Sequence, residues 1–167
     1  MAEAEALDIL KQAILLEKRG RAFYTKVAQE AQTESVKEFF SLMAAEEQEH
    51  IRILADQYRS YTQKGAFSSN LFTSETATQF ANRVLGKALK SQIAAAQFEA
   101  AAISAAMLME ERAIELYAQR ARVAPTETEQ QLYNWLAEWE RGHLSFLADI
   151  DREIKADIWN DNNFWPF

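Results

Sequence analysis

The feature that most constrains this chain is the placement of its rarest side chain. Its only two histidines each close a Glu-x-x-His, Glu47–His50 and Glu140–His143, and the two copies lie 93 positions apart. The same offset carries Glu17 onto Glu110 and Tyr24 onto Tyr117. No gap is needed. Between Leu7–Asp56 and Ala100–Asp149, fifteen of fifty positions are identical, among them Ala13/Ala106, Thr33/Thr126, Glu34/Glu127, Leu54/Leu147 and Asp56/Asp149. A chain of this kind is one unit written twice, and neither copy buries its apolar face alone.

The unit is helical. Four glycines and two prolines in 167 residues leave few breaks. Leu7, Leu10, Ile14, Glu17, Arg21 and Tyr24 recur at steps of three and four, the period of one helix face. The pattern predicts a first helix over about 3–31 and a second over 34–64, with Thr33 as its N-cap. A third runs over about 91–123 and stops at Pro125. A Thr126/Glu129 capping box starts the fourth, which reaches about 157. Gly65 and the polar run 68–74 interrupt the pattern, so 65–90 reads as a long crossover with a short helix near 75–88. The expected fold is an all-α four-helix bundle, a single domain over 1–167. It consists of two αα-hairpins (3–64 and 91–157), one crossover and an irregular aromatic tail over 158–167.

Composition removes several functions. A net charge of −7 and an isoelectric point near 5.0 argue against nucleic acid, which calls for a basic stripe. The absence of cysteine excludes disulfides, thiolate metal sites, iron–sulfur clusters and a rubredoxin-type iron site within this sequence. It also fits a reducing compartment. The start, MAEAEALDIL, has no basic region followed by an apolar run, and a cytoplasmic location is expected. Ile93–Met109 is apolar, but it is mostly alanine and carries Gln97 and Glu99. It reads as a buried helix, with no membrane partner implied.

The spacing brings the repeated residues to one point. The first hairpin turns near Gln32, with Glu17 fifteen residues before and Glu47 fifteen after. The second turns at Pro125, with Glu110 and Glu140 at the same distances. At a rise of ~1.5 Å per residue, all four sit ~22 Å from a turn, at mid-bundle. His50 and His143 follow their Glu by three residues and share its face.

That face is apolar. Glu17 sits with Leu10, Ala13 and Ile14, His50 with Ile53 and Leu54, and Glu110 with Ala106, Met107 and Ile114. A buried unpaired carboxylate costs several kcal/mol, and here there would be four. Arg19 and Arg112 stand two residues from the key glutamates, on another side of their helices. Two divalent cations balance four carboxylates with both histidines neutral. Oxygen-rich ligation with one imidazole per metal suits iron or manganese, and zinc also satisfies it.

Other polar and aromatic residues read more plainly. Glu46, Glu49, Glu111 and Glu138 have no counterpart under the shift and read as surface charges. Met43, Met107 and Met109 fall at core spacings. Trp135, Trp139 and Trp159, with Phe164, Trp165 and Phe167, read as an aromatic C-terminal region. Its last three rings are expected to pack on the bundle or on a neighbouring protomer.

The motifs Ala13-x3-Glu17-x6-Tyr24, Glu47-x2-His50, Ala106-x3-Glu110-x6-Tyr117 and Glu140-x2-His143 resemble the rubrerythrin-like branch of the ferritin-like superfamily, over nearly the whole helical length. The resemblance implies a di-iron oxidoreductase. In it, Glu17 and Glu110 are terminal ligands, Glu47 and Glu140 bridge two irons, and His50 and His143 complete one site each. Tyr24 and Tyr117 would orient the carboxylates by hydrogen bonding. O2 or H2O2 and Fe2+ would be substrates, a separate protein the electron donor, and a homodimer the assembly. The alternatives are an iron-storage protomer and a bundle held by two structural metals. Two departures separate this chain from rubrerythrins proper. It cannot form their rubredoxin domain, and Ala113 stands where they carry an extra carboxylate three residues after the third-helix ligand. The site is thus closer to the symmetric six-ligand centres of bacterioferritin type.

Overall fold

Four helices dominate the described residues, 2–69 and 99–160, of the computed structural model: α1 (Ala2–Glu30), α2 (Glu34–Lys64), α3 (Glu99–Val123) and α4 (Glu127–Asn160). No strand occurs among them. α1 packs along α2 and α3 along α4 as two antiparallel hairpins, and α1 also approaches α3. The fold is the expected all-α four-helix bundle. None of the described helices is long and apolar enough to cross a membrane.

The seam between helices follows the sequence rhythm. On α1 the buried positions Ala6, Leu10, Ala13, Glu17, Gly20, Tyr24 and Val27 fall at alternating steps of four and three, with Ala28 buried beside the last. α3 repeats it with Ile103, Ala106, Glu110, Ala113, Tyr117 and Arg120. This seam suits helices that cross at a shallow angle.

Two apolar clusters fill the bundle. One joins Val27, Val36, Phe39, Phe40 and Met43 to Ile103, Phe146, Leu147 and Ile150. The other joins Ala121, Leu132, Tyr133 and Leu136 to Leu10, Ala13, Ile53 and Leu54. Each cluster takes the turn end of one hairpin and the open ends of the other. The two turns therefore lie at opposite ends of the bundle, and the polar mid-section lies between two apolar plugs.

The helix ends adjust the sequence reading in detail. α1 ends at Glu30, and α4 continues three residues past 157 to Asn160. Thr33 occupies the N-cap of α2 with extended backbone, yet its side chain makes no capping bond. The Thr126 hydroxyl does accept from the Glu129 amide, at 3.3 Å. The other half of that capping box is absent, because the Glu129 carboxylate accepts instead from Arg120. Gly65 closes α2 at φ 66°, a left-handed turn that glycine adopts without strain. After it, Gln57 clamps the Ser68 backbone through both amide atoms, at 3.0 and 2.9 Å. The expected short helix near 75–88, the first residues of the third helix and the rings of the terminal tail fall outside the described residues.

Candidate metal centre

The alternating seam turns about one residue per turn of each helix toward the axis, and at mid-height several of those residues are polar. Glu17, Glu47, His50, Glu110, Glu140 and His143 are each at most 3% exposed. Their ligand-capable atoms form two groups, each within 4.8 Å: Glu17, Glu47, His50 and Glu140, and Glu47, Glu110, Glu140 and His143. Glu47 and Glu140 belong to both. Glu17 and His50 belong only to the first, Glu110 and His143 only to the second.

Both imidazoles turn Nδ1 inward. His50 Nδ1 lies 3.1 Å from Glu17 and 2.8 Å from Glu140. His143 Nδ1 lies 3.1 Å from Glu140 and 3.6 Å from Glu110. The two rings face each other with centroids 5.9 Å apart. The tyrosines cross between hairpins: the Tyr24 hydroxyl donates to Glu110, and the Tyr117 hydroxyl to Glu17. Seven residues is two helical turns, so each hydroxyl reaches the carboxylate of the facing helix rather than its own.

Charge is in excess here. The ion pairs of these four glutamates, among the described residues, are all with His50 and His143. Without metal, burial and then the Glu140 charge push the Glu110 carboxyl up to about 8. Burial, then Glu17 and Glu140, hold Glu47 well above the carboxylate range. Burial would lower the His143 imidazole, but hydrogen bonds to Glu110 and Glu140 outweigh it and raise it to about 10. His50 is raised well above its ordinary value because the Glu140 and Glu17 carboxylates outweigh burial. Burial also opposes ionisation of Glu140, but the charge of His50 outweighs it and holds that carboxyl well below its ordinary value. The metal-free cluster thus shares protons to remain buried. Divalent cations do the same work better, and a set of carboxylates with one imidazole per group fits two of them.

A comparison with models of known protein families matches residues 8–151 to rubrerythrin. This chain belongs to the rubrerythrin family. No curated protein and no solved structure matches it.

For a rubrerythrin-family bundle the centre is open on one side. A cavity of about 160 Å³ lies between α1 and α3, lined by Glu17, Glu47, Glu110, Glu140, Leu16 and Met109, and by two residue pairs, Gly20/Ala113 and Arg19/Arg112. Each of those pairs is related by the 93-residue shift. Ala113 is matched across the cavity by Gly20, a residue with no side chain. A Cβ at Gly20 would lie 3.3 Å from the Glu47 carboxyl carbon. Arg19 and Arg112, read from sequence as turned away, flank this opening while remaining exposed.

The remaining residues fall in different places. Met43 and Met107 pack in the core. Glu111 and Glu138 are exposed, and Glu49 pairs with Arg52. Trp135 and Trp139, whose expected terminal ring partners lie outside the described residues, stand beside His50. Both stand edge-on to His50, at 6.0 and 5.5 Å, and the Trp139 indole nitrogen lies 3.2 Å from His143 Nε2. The sequence held the signal: Trp139 is four residues before His143, and therefore on the ligand face.

Proposed function

We propose that this rubrerythrin-family chain is a di-iron oxidoreductase that reduces O2 or H2O2, coupled to Fe2+ oxidation. The observation that carries the reading is the sharing of Glu47 and Glu140 by both ligand groups. In this reading Glu17, Glu47, His50 and Glu140 would hold one metal ion, and Glu47, Glu110, Glu140 and His143 the other. Two iron ions, when bound, would supply electrons to the oxidant.

The protein's part is arrangement. The apolar plugs above and below keep water off the carboxylates. Tyr24 and Tyr117 donate to Glu110 and Glu17, which fixes the rotamers of the two unshared carboxylates. Gly20 and Ala113 leave space beside Glu47 for a small molecule. That open side favours turnover over a purely structural metal site, since structural sites are closed by protein ligands. Electrons beyond those of iron come from outside the chain, and the assembly proposed is a homodimer.

The test is anaerobic purification, Fe2+ addition, metal analysis, and then O2 or H2O2 while the absorption of an oxo-bridged diferric pair is followed. Two irons per chain and rapid development of that absorption are expected. Fewer than one metal per chain after loading would overturn the reading. Full loading with no oxidation faster than buffer would leave a structural metal protein.

A further inference from the structure

The metal ligands obey the 93-residue symmetry, but the rings beside them do not. Trp139 and Trp135 correspond to Glu46 and Leu42 in the first hairpin. Ligand geometry alone therefore does not call for either indole. Trp139 is buried, touches His143 Nε2 at 3.2 Å and stands edge-on to His50. Trp135 is half-buried, with its ring centroid 5.2 Å from that of Trp139. The two rings thus run from the imidazole of a candidate ligand to a side chain within reach of solvent. An indole in direct contact with a ligand is a side chain that can give up one electron to an oxidising centre.

Resting on the di-iron reading, we propose that Trp139 and Trp135 form a one-electron relay from the surface to the centre. The balance of electrons shows why one is needed. Reduction of O2 to two waters takes four electrons and four protons, and oxidation of a ferrous pair to ferric yields two. The other two pass singly along the relay. Trp139 gives one electron to the centre, Trp135 refills Trp139, and an external one-electron reductant of the ascorbate class refills Trp135. No bond in either indole forms or breaks, and each keeps its N–H. Two molecules of the reductant each release one proton with their electron, and solvent acid supplies the other two. Two Fe2+, O2, two electrons and four protons thus give two Fe3+ and two waters.

The test uses the full chain loaded with two Fe2+ and mixed with O2, with and without ascorbate. Samples frozen on the millisecond scale are read by electron paramagnetic resonance, and ring-deuterated tryptophan is incorporated to assign the signal. The expected result without ascorbate is a radical that narrows on tryptophan deuteration. With ascorbate, that radical disappears as ascorbate is consumed. Trp135→Phe should retain the iron content and form the radical, yet consume ascorbate at least several-fold more slowly. Trp139→Phe should form no tryptophan radical. A radical on tyrosine, or unchanged ascorbate consumption in Trp135→Phe, overturns the relay while diferric absorption still develops. Absence of diferric absorption in the unmodified protein overturns the di-iron reading, and the relay with it. Should Trp139→Phe lose iron through its contact with His143, Trp135→Phe and the deuterated protein still decide the matter.

Discussion

At the turn end of the first hairpin, Val27 and Val36 are buried in an apolar cluster. At the same positions of the second hairpin stand Arg120 and Glu129, equally hidden from solvent and bonded to each other at 2.7 Å. Arg120 also reaches Glu5 at the start of α1. One turn further in, Phe40 corresponds to Tyr133, and Leu42 and Glu46 correspond to Trp135 and Trp139. Glu17, Glu47, His50 and Tyr24, in contrast, keep their identity in both copies. Every one of these shared residues makes contact with the opposite hairpin at the centre, so a change in one copy alone would unbalance the site. The positions that differ belong to no such symmetric set, and a valine pair or an ion pair fills the same place in a helix end.

The largest test of this division is metal stoichiometry. Glu47→Ala or Glu140→Ala should lose both metals, because each carboxylate serves both groups. Glu17→Ala or Glu110→Ala should weaken one site and spare the other. Elemental analysis after Fe2+ or Mn2+ loading reads the difference. Loss of a single metal from Glu47→Ala would show that the shared carboxylates do not bridge.

Protons occupy the same groups when metal is absent, and the sign of their effect is fixed by direction. Glu110 is raised to about 8 and His143 to about 10. Both bind protons more tightly folded than unfolded. Their contribution to stability is complete below the ordinary values of 4.5 and 6.5 and is lost as pH rises through about 8 and then about 10. The metal-free protein should therefore lose thermal stability from pH 7 to pH 10, and the metal-loaded protein much less. Metal affinity should fall toward acid, since protons compete for the same atoms. Equal pH profiles for the two forms would contradict the proton-sharing cluster.

The buried ion pair sharpens the contrast between hairpin ends. Arg120→Ala strands the Glu129 carboxylate and should cost about 3–5 kcal/mol by chemical denaturation. Arg120→Val with Glu129→Val rebuilds the valine pair of the first hairpin and should be neutral or stabilising. A double variant as unstable as the single one would mean that the second hairpin has no room for that pair.

The tyrosines probe the crossing. Tyr117→Phe should weaken the metal held by Glu17, and Tyr24→Phe the metal held by Glu110, each by about 10-fold. Mn2+ titration by calorimetry measures both. If Tyr117→Phe is additive with Glu110→Gln and non-additive with Glu17→Gln, the crossed contact is energetic as well as geometric.

Much of this was legible because it depends on repeat distance. The bundle, the hairpin partners and the common height of four glutamates follow from helix period and fifteen residues on each side of a turn. What was not legible depends on direction across the bundle. A sequence pattern places Tyr24 on the inner face without saying which helix its hydroxyl reaches. It places Gly20 opposite nothing in particular, whereas only the packed seam shows Gly20 and Ala113 sharing one cavity wall with Glu47. Trp139 is the converse, since its spacing of four residues from His143 already put it at the ligand.

The smallest contrast uses two identical residues. Thr33 and Thr126 sit before α2 and α4, related by the repeat. Thr126 caps the Glu129 amide with its hydroxyl, and Thr33 accepts only through its backbone oxygen, from Lys37 at 3.1 Å. An alanine retains the backbone acceptor and loses the hydroxyl. Thr126→Ala should therefore cost about 1 kcal/mol, and Thr33→Ala close to nothing. Urea denaturation of the metal-free protein resolves that difference. Equal losses would place the value of these threonines in extended backbone preference rather than in the cap, and the asymmetry between the turns would then lie only in Arg120 and Glu129.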